Sequence, residues 1–563
     1  MRNSGNWRVA CGMWRGASGK WRVAAGLLLL ATVAATPVAG QRKFYIDDPI
    51  TREPETQDAS GAVPRNISLI YDLGLNLFAR PGESEIVRAQ NINTIDEVPD
   101  SNWFTNRDLT QLSIEELIKG PNTGSGPAPG NWAVTRAKKS GVSPGFTVRD
   151  SAGETWFVQF DAPGHDQAAS GAAAVATKIF HALGYFQTEN YISLVRPEDL
   201  TIDPDAKVET VSGRIRPMKR DDINQVLKRA NRQPDGSYRL LASRGLPGKI
   251  LGGFAYHGTR SDDPNDIVPH ENRRELRALR VFGAWTNLVD MKALNTLDTV
   301  VTENGRSFVR HYLQDVGSTF GTGALGPREF DEGHEYLWEG DKTWKRLVSL
   351  NFYLQPWQTI PYKEHESIGR FEGDHFDPTK WKPRVPTAAF LRARPDDDFW
   401  AARRVMAFSD EMIRAIVKTG EYSDAAAERH LADVLIKRRD KIGAAFLQAV
   451  NPLVDFALDT KGVLTFVNAA VQARVASPPA DGYEARWFRF DNETGEATPL
   501  GSAPTVGNPT IKAPVALPGD PSAFVKVEVA AVNSSYPAWN NPVQVYFRRT
   551  NDGWQLVGLE RMP

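Results

Sequence analysis

The alternation of apolar and polar positions divides the chain into stretches of different character. From 41 to 100 it is polar and loop-rich, with no sustained period. Ser113-Ile114-Glu115-Glu116 has capping-box spacing, which predicts a helical turn over 114–119. The Gly- and Pro-rich run 120–130 cannot hold regular structure and reads as a linker or boundary. Strand-like runs follow at 132–136, 145–149 and 155–160, and the last two are joined by the turn signal Asp150-Ser151-Ala152-Gly153. A helix is predicted over 170–183, stopped by Gly184, and another strand over 189–195. These elements make a small β-rich lobe carrying one helix.

The second half changes period. Leu276, Leu279, Val281, Phe282 and Trp285 form one apolar stripe in a helix predicted over 272–288. Strands at 297–301 and 308–313 flank Asn304-Gly305, the strongest short hairpin signal. Long helical patterns cover 399–418 and 423–450, and Arg429, Lys437, Arg438, Arg439 and Lys441 on the second read as a solvated face. From 462 onward short strands at 463–467, 485–490, 524–532, 543–547 and 554–559 alternate with turns such as Asn551-Asp552-Gly553, the pattern of a small antiparallel β-sandwich.

Composition narrows the function classes. A net charge of −1 over 563 residues leaves no basic field for nucleic acid. Arg2, Arg8, Arg15, Lys20 and Arg22 precede an apolar run over 24–35, no acidic residue occurs before Asp47, and small residues offer cleavage after Ala35 or Gly40. That is the layout of a secretory signal over 1–40. The apolar run is shorter than the ~20 residues of a spanning helix, and Pro37 interrupts it. The expectation is an exported protein, periplasmic or extracellular, with no membrane span after cleavage. The one cysteine, Cys11, falls inside that signal, so the mature chain has no disulfide, thiolate nucleophile or Cys-ligated metal. Neither HExxH nor G-x-S-x-G occurs, and the His-Glu and Asp-His pairs at 270, 334, 365 and 374 read as scattered polar sites. The charged run 262–275 reads as a polar loop with an acidic helix start.

The densest chemistry lies in Asp290-Met291-Lys292-Ala293-Leu294-Asn295, just before the hairpin, and in Asp315-Val316-Gly317, just after it. A two-residue turn at Asn304-Gly305 puts Gln314 opposite Asn295 and Asp315 within one step of it. In a strictly regular ladder the two side chains would face opposite ways, so at least one must lie beyond the last regular pair to share a ligand.

This ordered set resembles the protein-kinase-like superfamily, whose catalytic loop runs Asp-x-x-x-x-Asn and returns through a hairpin to Asp-x-Gly. The resemblance implies that Asp290 orients or deprotonates an acceptor hydroxyl and that Lys292 steadies the transferring phosphate. It also implies Asn295 and Asp315 as ligands of Mg²⁺, with ATP as the nucleotide. In the small lobe, the strand at 155–160 lies where the superfamily carries its phosphate-binding lysine, and Gln159 stands at that position. The following helix offers Gly171-Ala172-Ala173-Ala174 where the partner glutamate belongs. Loss of both members of an ion pair is physically coherent, because either charge left alone would be costly. There is no G-x-G-x-x-G; the corresponding turn is Ala137-Lys138-Lys139-Ser140-Gly141, whose lysines Lys138 and Lys139 are the candidates to meet phosphate. Leu288-Val289 replace the usual His-Arg, and Val316 the usual Phe. These departures resemble the phosphoinositide-kinase-like, HipA-like and secretory-pathway kinases.

The expected fold is α+β. A signal (1–40) and a loop-rich segment with linker (41–130) precede a kinase-like small lobe (131–260), a helical large lobe (261–455) and a C-terminal antiparallel β-sandwich (456–563). The expected function is an exported kinase-like protein, acting as a Mg²⁺/ATP phosphotransferase on a hydroxyl-bearing acceptor. Two alternatives stay open: a pseudokinase-like binding module that lost its Lys-Glu chemistry, and an envelope adhesion protein whose aromatics and β-sandwich bind glycan.

Overall fold

The computed structural model describes residues 42–138, 143–209, 214–350 and 352–561. The expected signal over 1–40 and Lys139 lie outside the described residues. Among the described residues no helix is long and apolar enough to cross a membrane.

The N-terminal segment contains α1 (Leu69–Gly74), which runs on into a π-turn over Leu75–Ala79, and α2 (Ile114–Lys119). α2 has the capping box its sequence predicts: Glu116 N–H donates to Ser113 Oγ at 3.2 Å, and Ser113 N–H to Glu116 Oε2 at 3.0 Å. The run 120–130 is irregular, as expected, but it is docked. Asn122 Nδ2 donates to the Asn190 carbonyl at 2.9 Å, and Ala128 N–H to Asp150 at 2.8 Å.

The small lobe is built on β1 (Trp132–Ala137), β2 (Gly145–Arg149), β3 (Thr155–Phe160), α3 (Ala168–Leu183), β4 (Asn190–Val195) and β5 (Leu200–Ile202). After the short β6 (Lys207–Glu209), β7 (Ile215–Pro217) and α4 (Arg220–Leu227), β8 (Tyr238–Arg244) completes the sheet. Its order is β4-β8-β3-β2-β1-β5, antiparallel except for the parallel pair β1–β5. β8 sits centrally between β3 and β4, and its apolar Leu240, Leu241 and Ala242 are buried as that position requires. The turn between β2 and β3 forms as read: Asp150 accepts from the N–H groups of Ala152 and Glu154, and Gly153 takes a positive φ of 84°.

The large lobe begins with β9 (Lys249–Gly252) and α5 (Arg274–Thr286), followed by the hairpin β10 (Leu297–Glu303) and β11 (Arg306–Tyr312). Glu303 pairs with Arg306, and Asn304 and Gly305 both take positive φ, 51° and 75°, as a type I′ turn requires. α6 (Gly340–Val348) and the one-turn α7 (Ala388–Leu391) precede α8 (Pro395–Met406), α9 (Asp410–Lys418) and α10 (Ala425–Phe446). The single helix expected over 399–418 is two helices, because Ser409 caps a new one: its Oγ accepts from Met412 N–H at 3.1 Å.

The C-terminal third is antiparallel. β12 (Leu453–Leu458) and β13 (Val463–Asn468) lead through α11 (Ala469–Gln472) to β14 (Tyr483–Phe490), β15 (Ala497–Val506), β16 (Thr510–Lys512), β17 (Phe524–Ala531), β18 (Val543–Arg549) and β19 (Trp554–Glu560). They form sheets β12-β13-β16 and β15-β14-β17-β18-β19. Their inner residues, among them Phe466, Trp487 and Val527, belong to the same continuous core as Trp285, Phe408 and Leu435 of the helices. Phe44 covers the outer face of the larger sheet against Phe490 and Tyr546.

Charges read as solvated are buried. Arg273, Arg274 and Arg277 open α5 and are at most 1% exposed. Arg274 donates to Asp96 at 2.8 Å, Asp397 at 3.0 Å and Asp396 at 3.2 Å; Arg277 reaches Asp397 at 3.1 Å, and Arg273 reaches Glu53 at 3.1 Å. Arg438 of α10, expected on a solvated face, is buried too. The partners come from remote segments, which local charge patterning cannot reveal.

Two stability predictions follow from these groups. Arg274→Ala removes the guanidinium that three buried carboxylates share and is expected to cost about 3–5 kcal/mol in urea unfolding. The second concerns Asp398, which is 5% exposed and has an unpartnered Oδ1. Burial pushes its pKa up to about 7, against the pull of Arg280 3.8 Å away. The native state therefore holds this proton where the unfolded chain has released it, so the group lowers stability as pH rises from about 4 to 7. Asp398→Asn is expected to match the parent in melting temperature near pH 4 and to melt several degrees higher near pH 8.

Candidate functional site

α5 ends at Asn287, which takes the left-handed conformation (φ 56°) and releases Leu288-Val289-Asp290. The loop then closes on itself. Lys292 Nζ pairs with Asp290 Oδ2 at 2.8 Å, and Asn295 Nδ2 donates to the Asp290 carbonyl at 2.8 Å. Arg328 stands 3.9 Å from the same carboxylate. From the N-terminal segment, Asp72 accepts from Ala293 N–H at 3.2 Å, and burial raises its pKa. Nothing near residue 72 in sequence announces this contact; the signal was an acid followed by apolar residues in a segment with no other period.

The hairpin brings the two candidate metal ligands together as its register requires. Leu297 pairs with Tyr312, and beyond that last pair Asp315 N–H donates to the Asn295 carbonyl at 3.1 Å. Asp315 Oδ1 accepts from Gly317 N–H at 3.2 Å, and among the described residues Oδ2 has no hydrogen-bond partner. Asn295, having committed Nδ2, keeps Oδ1 without a hydrogen-bond partner among the described residues. Among the described residues no group of three or more His, Cys, Asp or Glu could hold a metal ion.

Asp315 and Gln159 face one crevice between the lobes. Ser143, Ser170, Ala173 and Gly317 also line it, and its volume is about 80 Å³. Ala173 is the residue of α3 that closes on the Asp-Val-Gly turn: a Cβ on Gly317 would come within 3.3 Å of the Ala173 Cβ. The small residues of α3 thus occupy the place where a glutamate was looked for, and Gln159 faces no acid there. Lys138, just after β1, is exposed; partial desolvation lowers its pKa, and the Asp315 carboxylate opposes that. Asp290, Lys292 and Asn295 do not line the crevice.

A buried latch fixes the lobes beside it. Arg239 of β8 donates to Ser170 Oγ at 3.0 Å, to the Gly420 carbonyl at 2.6 Å and to the Glu421 carbonyl at 3.0 Å. Asp161 at the end of β3 accepts from Ser170 Oγ at 2.6 Å and lies 3.8 Å from Arg239. Gln167 accepts from Ser423 N–H at 2.8 Å. Arg239 and Gln167 thus join the small lobe to the loop after α9, and Asp161 holds Ser170 and Arg239 from within the small lobe.

No protein-family description matches the chain, and no curated protein matches it. In structure it is similar to the Golgi casein kinase. The form with Mn/ADP bound aligns over 58% of this chain and 76% of that one, at 10% identity and a TM-score of 0.26. A second crystal structure of the Golgi casein kinase aligns over 70% of this chain and 96% of that one, again at 10% identity and a TM-score of 0.26. At that level the functional reading rests on the chain's own geometry.

The partly exposed Lys292–Asp290 pair contributes little to folding. Lys292→Ala is expected to cost less than about 1 kcal/mol in urea unfolding. Gly171→Ala, whose added Cβ would sit 2.6 Å from the Tyr422 ring, is the contrast: overpacking there is expected to cost about 1–3 kcal/mol.

Proposed function

We propose that this chain is an exported kinase-like protein that binds Mg²⁺ and ATP between its lobes and transfers phosphate to a hydroxyl-bearing acceptor. The observation that carries the reading is that Gln159 of the small-lobe sheet and Asp315 of the large lobe line one crevice, with Asn295 bonded to Asp315 through the backbone. The donor set suits magnesium: two hard oxygens, Asn295 Oδ1 and Asp315 Oδ2, leave the other positions to water and phosphate, as this ion prefers. Bound there, the metal would neutralise charge on the phosphates. Lys138 would supply the cation that Gln159 cannot. Asp290, its carboxylate held by Lys292, would orient the acceptor hydroxyl and take its proton.

A crevice of about 80 Å³ is well below the ~300–1,000 Å³ of ordinary small-molecule sites. Nucleotide entry on this reading requires the lobes to part at the Arg239 latch. The narrow crevice and Ala173 in place of an acid favour a second reading: a binding module of the same fold that holds nucleotide without efficient transfer.

One experiment separates them. Mg²⁺/ATP is expected to raise the melting temperature of the full chain, and Asp315→Ala to abolish the rise. Transfer of labelled phosphate to a generic acceptor or to the chain itself is expected to fall at least about a hundredfold in Asp290→Asn. A thermal shift without transfer selects the binding module; no shift in either protein rejects both.

A further inference from the structure

The large lobe contains a second cavity that shares no lining residue with the crevice. Its volume is about 840 Å³, within the ~300–1,000 Å³ range of small-molecule sites. Trp357, Tyr362, Phe376 and Trp381 supply aromatic walls, and Arg370 and Arg438 supply charge.

Arg438 is the unusual group. It is 6% exposed, and its guanidinium lies between the rings of Phe371 and Phe376, 4.4 and 3.9 Å from their centres. Nε donates to the Glu372 carbonyl at 3.0 Å and Nη1 to the Ala284 carbonyl at 3.1 Å. Among the described residues Nη2 has no hydrogen-bond partner and no carboxylate lies within ion-pair distance. Burial lowers its pKa to about 9, and the more distant Glu372 carboxylate opposes this only in part.

Arg370 stacks on Phe330 at 3.8 Å and donates to the Arg328 carbonyl, and it too has no carboxylate at ion-pair distance among the described residues. The neighbouring acids are already engaged. Glu332 faces Arg328 at 3.3 Å and Arg384 at 3.7 Å, and Glu372 accepts from His375 N–H at 2.7 Å. The neighbouring lysines are paired as well, Lys380 with Asp377 and Lys382 with Glu339, each at 2.8 Å. Gln355, 5% exposed, has an Nε2 with no partner. His334 stacks near Trp357, and burial, then Arg438, lowers its pKa to about 4, so it adds no charge at neutral pH.

A buried guanidinium without a counter-ion is costly, and so is an unpaired buried amide N–H. An anion in the cavity would relieve the first, and an acceptor atom beside it the second. Flat aromatic walls beside them suit a ring face. We propose that this cavity is a binding site for a small ring-bearing anion, whose carboxylate or phosphate pairs with Arg438 and Arg370 while its flat face rests on Trp357 and Tyr362. The site does not depend on nucleotide binding in the crevice.

The test is thermal unfolding of the full chain with phenyl phosphate and with glucose 6-phosphate, against phenol, glucose and inorganic phosphate. At least one ring-bearing phosphate is expected to raise the melting temperature by about 2 °C or more at saturation, and which one does so tells an aromatic from a sugar ring. The uncharged rings and inorganic phosphate are expected to give much smaller shifts. Arg438→Gln is expected to abolish the rise. Tyr362→Ala, which keeps the guanidinium and its backbone bonds, is expected to reduce it severalfold and serves if Arg438→Gln does not fold. Asp315→Ala is expected to leave it intact. No rise with either ring-bearing phosphate, an equal rise with inorganic phosphate, a rise that survives Tyr362→Ala, or a rise lost in Asp315→Ala would overturn the proposal.

Discussion

Three buried arginines at the start of α5 set the conditions for the rest of the large lobe. Arg273, Arg274 and Arg277 cannot sit in a core unless carboxylates meet them there, and those carboxylates come from Glu53 and Asp96 before the small lobe and from Asp396 and Asp397 of α8. The network therefore fixes the N-terminal segment, α5 and α8 against one another. It explains how a stretch with no regular period can be an integral part of the structure. It also holds α5 in place, so that its far end delivers Asp290 from a fixed point.

The candidate site then follows from short-range rules applied to that fixed helix. A left-handed residue ends α5, a 3₁₀ turn over Ala293–Asn295 follows, and a type I′ hairpin returns the chain. Because the hairpin has no bulge between β10 and β11, the positions of paired residues sum to a constant, and Asp315 must arrive beside Asn295. The tight approach of the Asp-Val-Gly turn to α3 has its own requirement: Ala173 and Gly317 must both be small. An acid at 173 would have to displace that turn.

Much of this was legible in the sequence, and the failures share one cause. The β2–β3 turn, the α2 cap and the β10–β11 register are local, so turn and capping chemistry specified them. β8 was missed although it is an interior strand of its sheet, because Tyr238–Arg244 carries a short apolar run without the alternation that marks a half-buried strand. The break between α8 and α9 was missed because Ser409 continues an acceptable helical pattern while acting as a cap. Arg438 was read as solvent-facing, and the run 262–275 as a polar loop with an acidic helix start, because a sequence shows charge without showing its partner. The same limit applied to the site. The spacing of Asp290, Asn295 and Asp315 is a sequence property, whereas Asp72 at the loop, Ala173 in the crevice and the influence of Asp315 on Lys138 arise only when distant segments meet.

The loop carrying Asp290 is held from two sides. On the hairpin side, Asn295 bonds the Asp290 carbonyl, and Asp315 bonds the Asn295 carbonyl. On the other side, Trp381 donates to Asn287 Oδ1 at 2.8 Å, and Arg384 N–H donates to the Val289 carbonyl at 2.8 Å. Trp381 and Asn287 are also walls of the aromatic cavity. The residue that ends α5, three positions before Asp290, is therefore shared between the loop and the cavity wall. The Asp290 loop is thus anchored both by the hairpin and by the segment that carries Trp381 and Arg384.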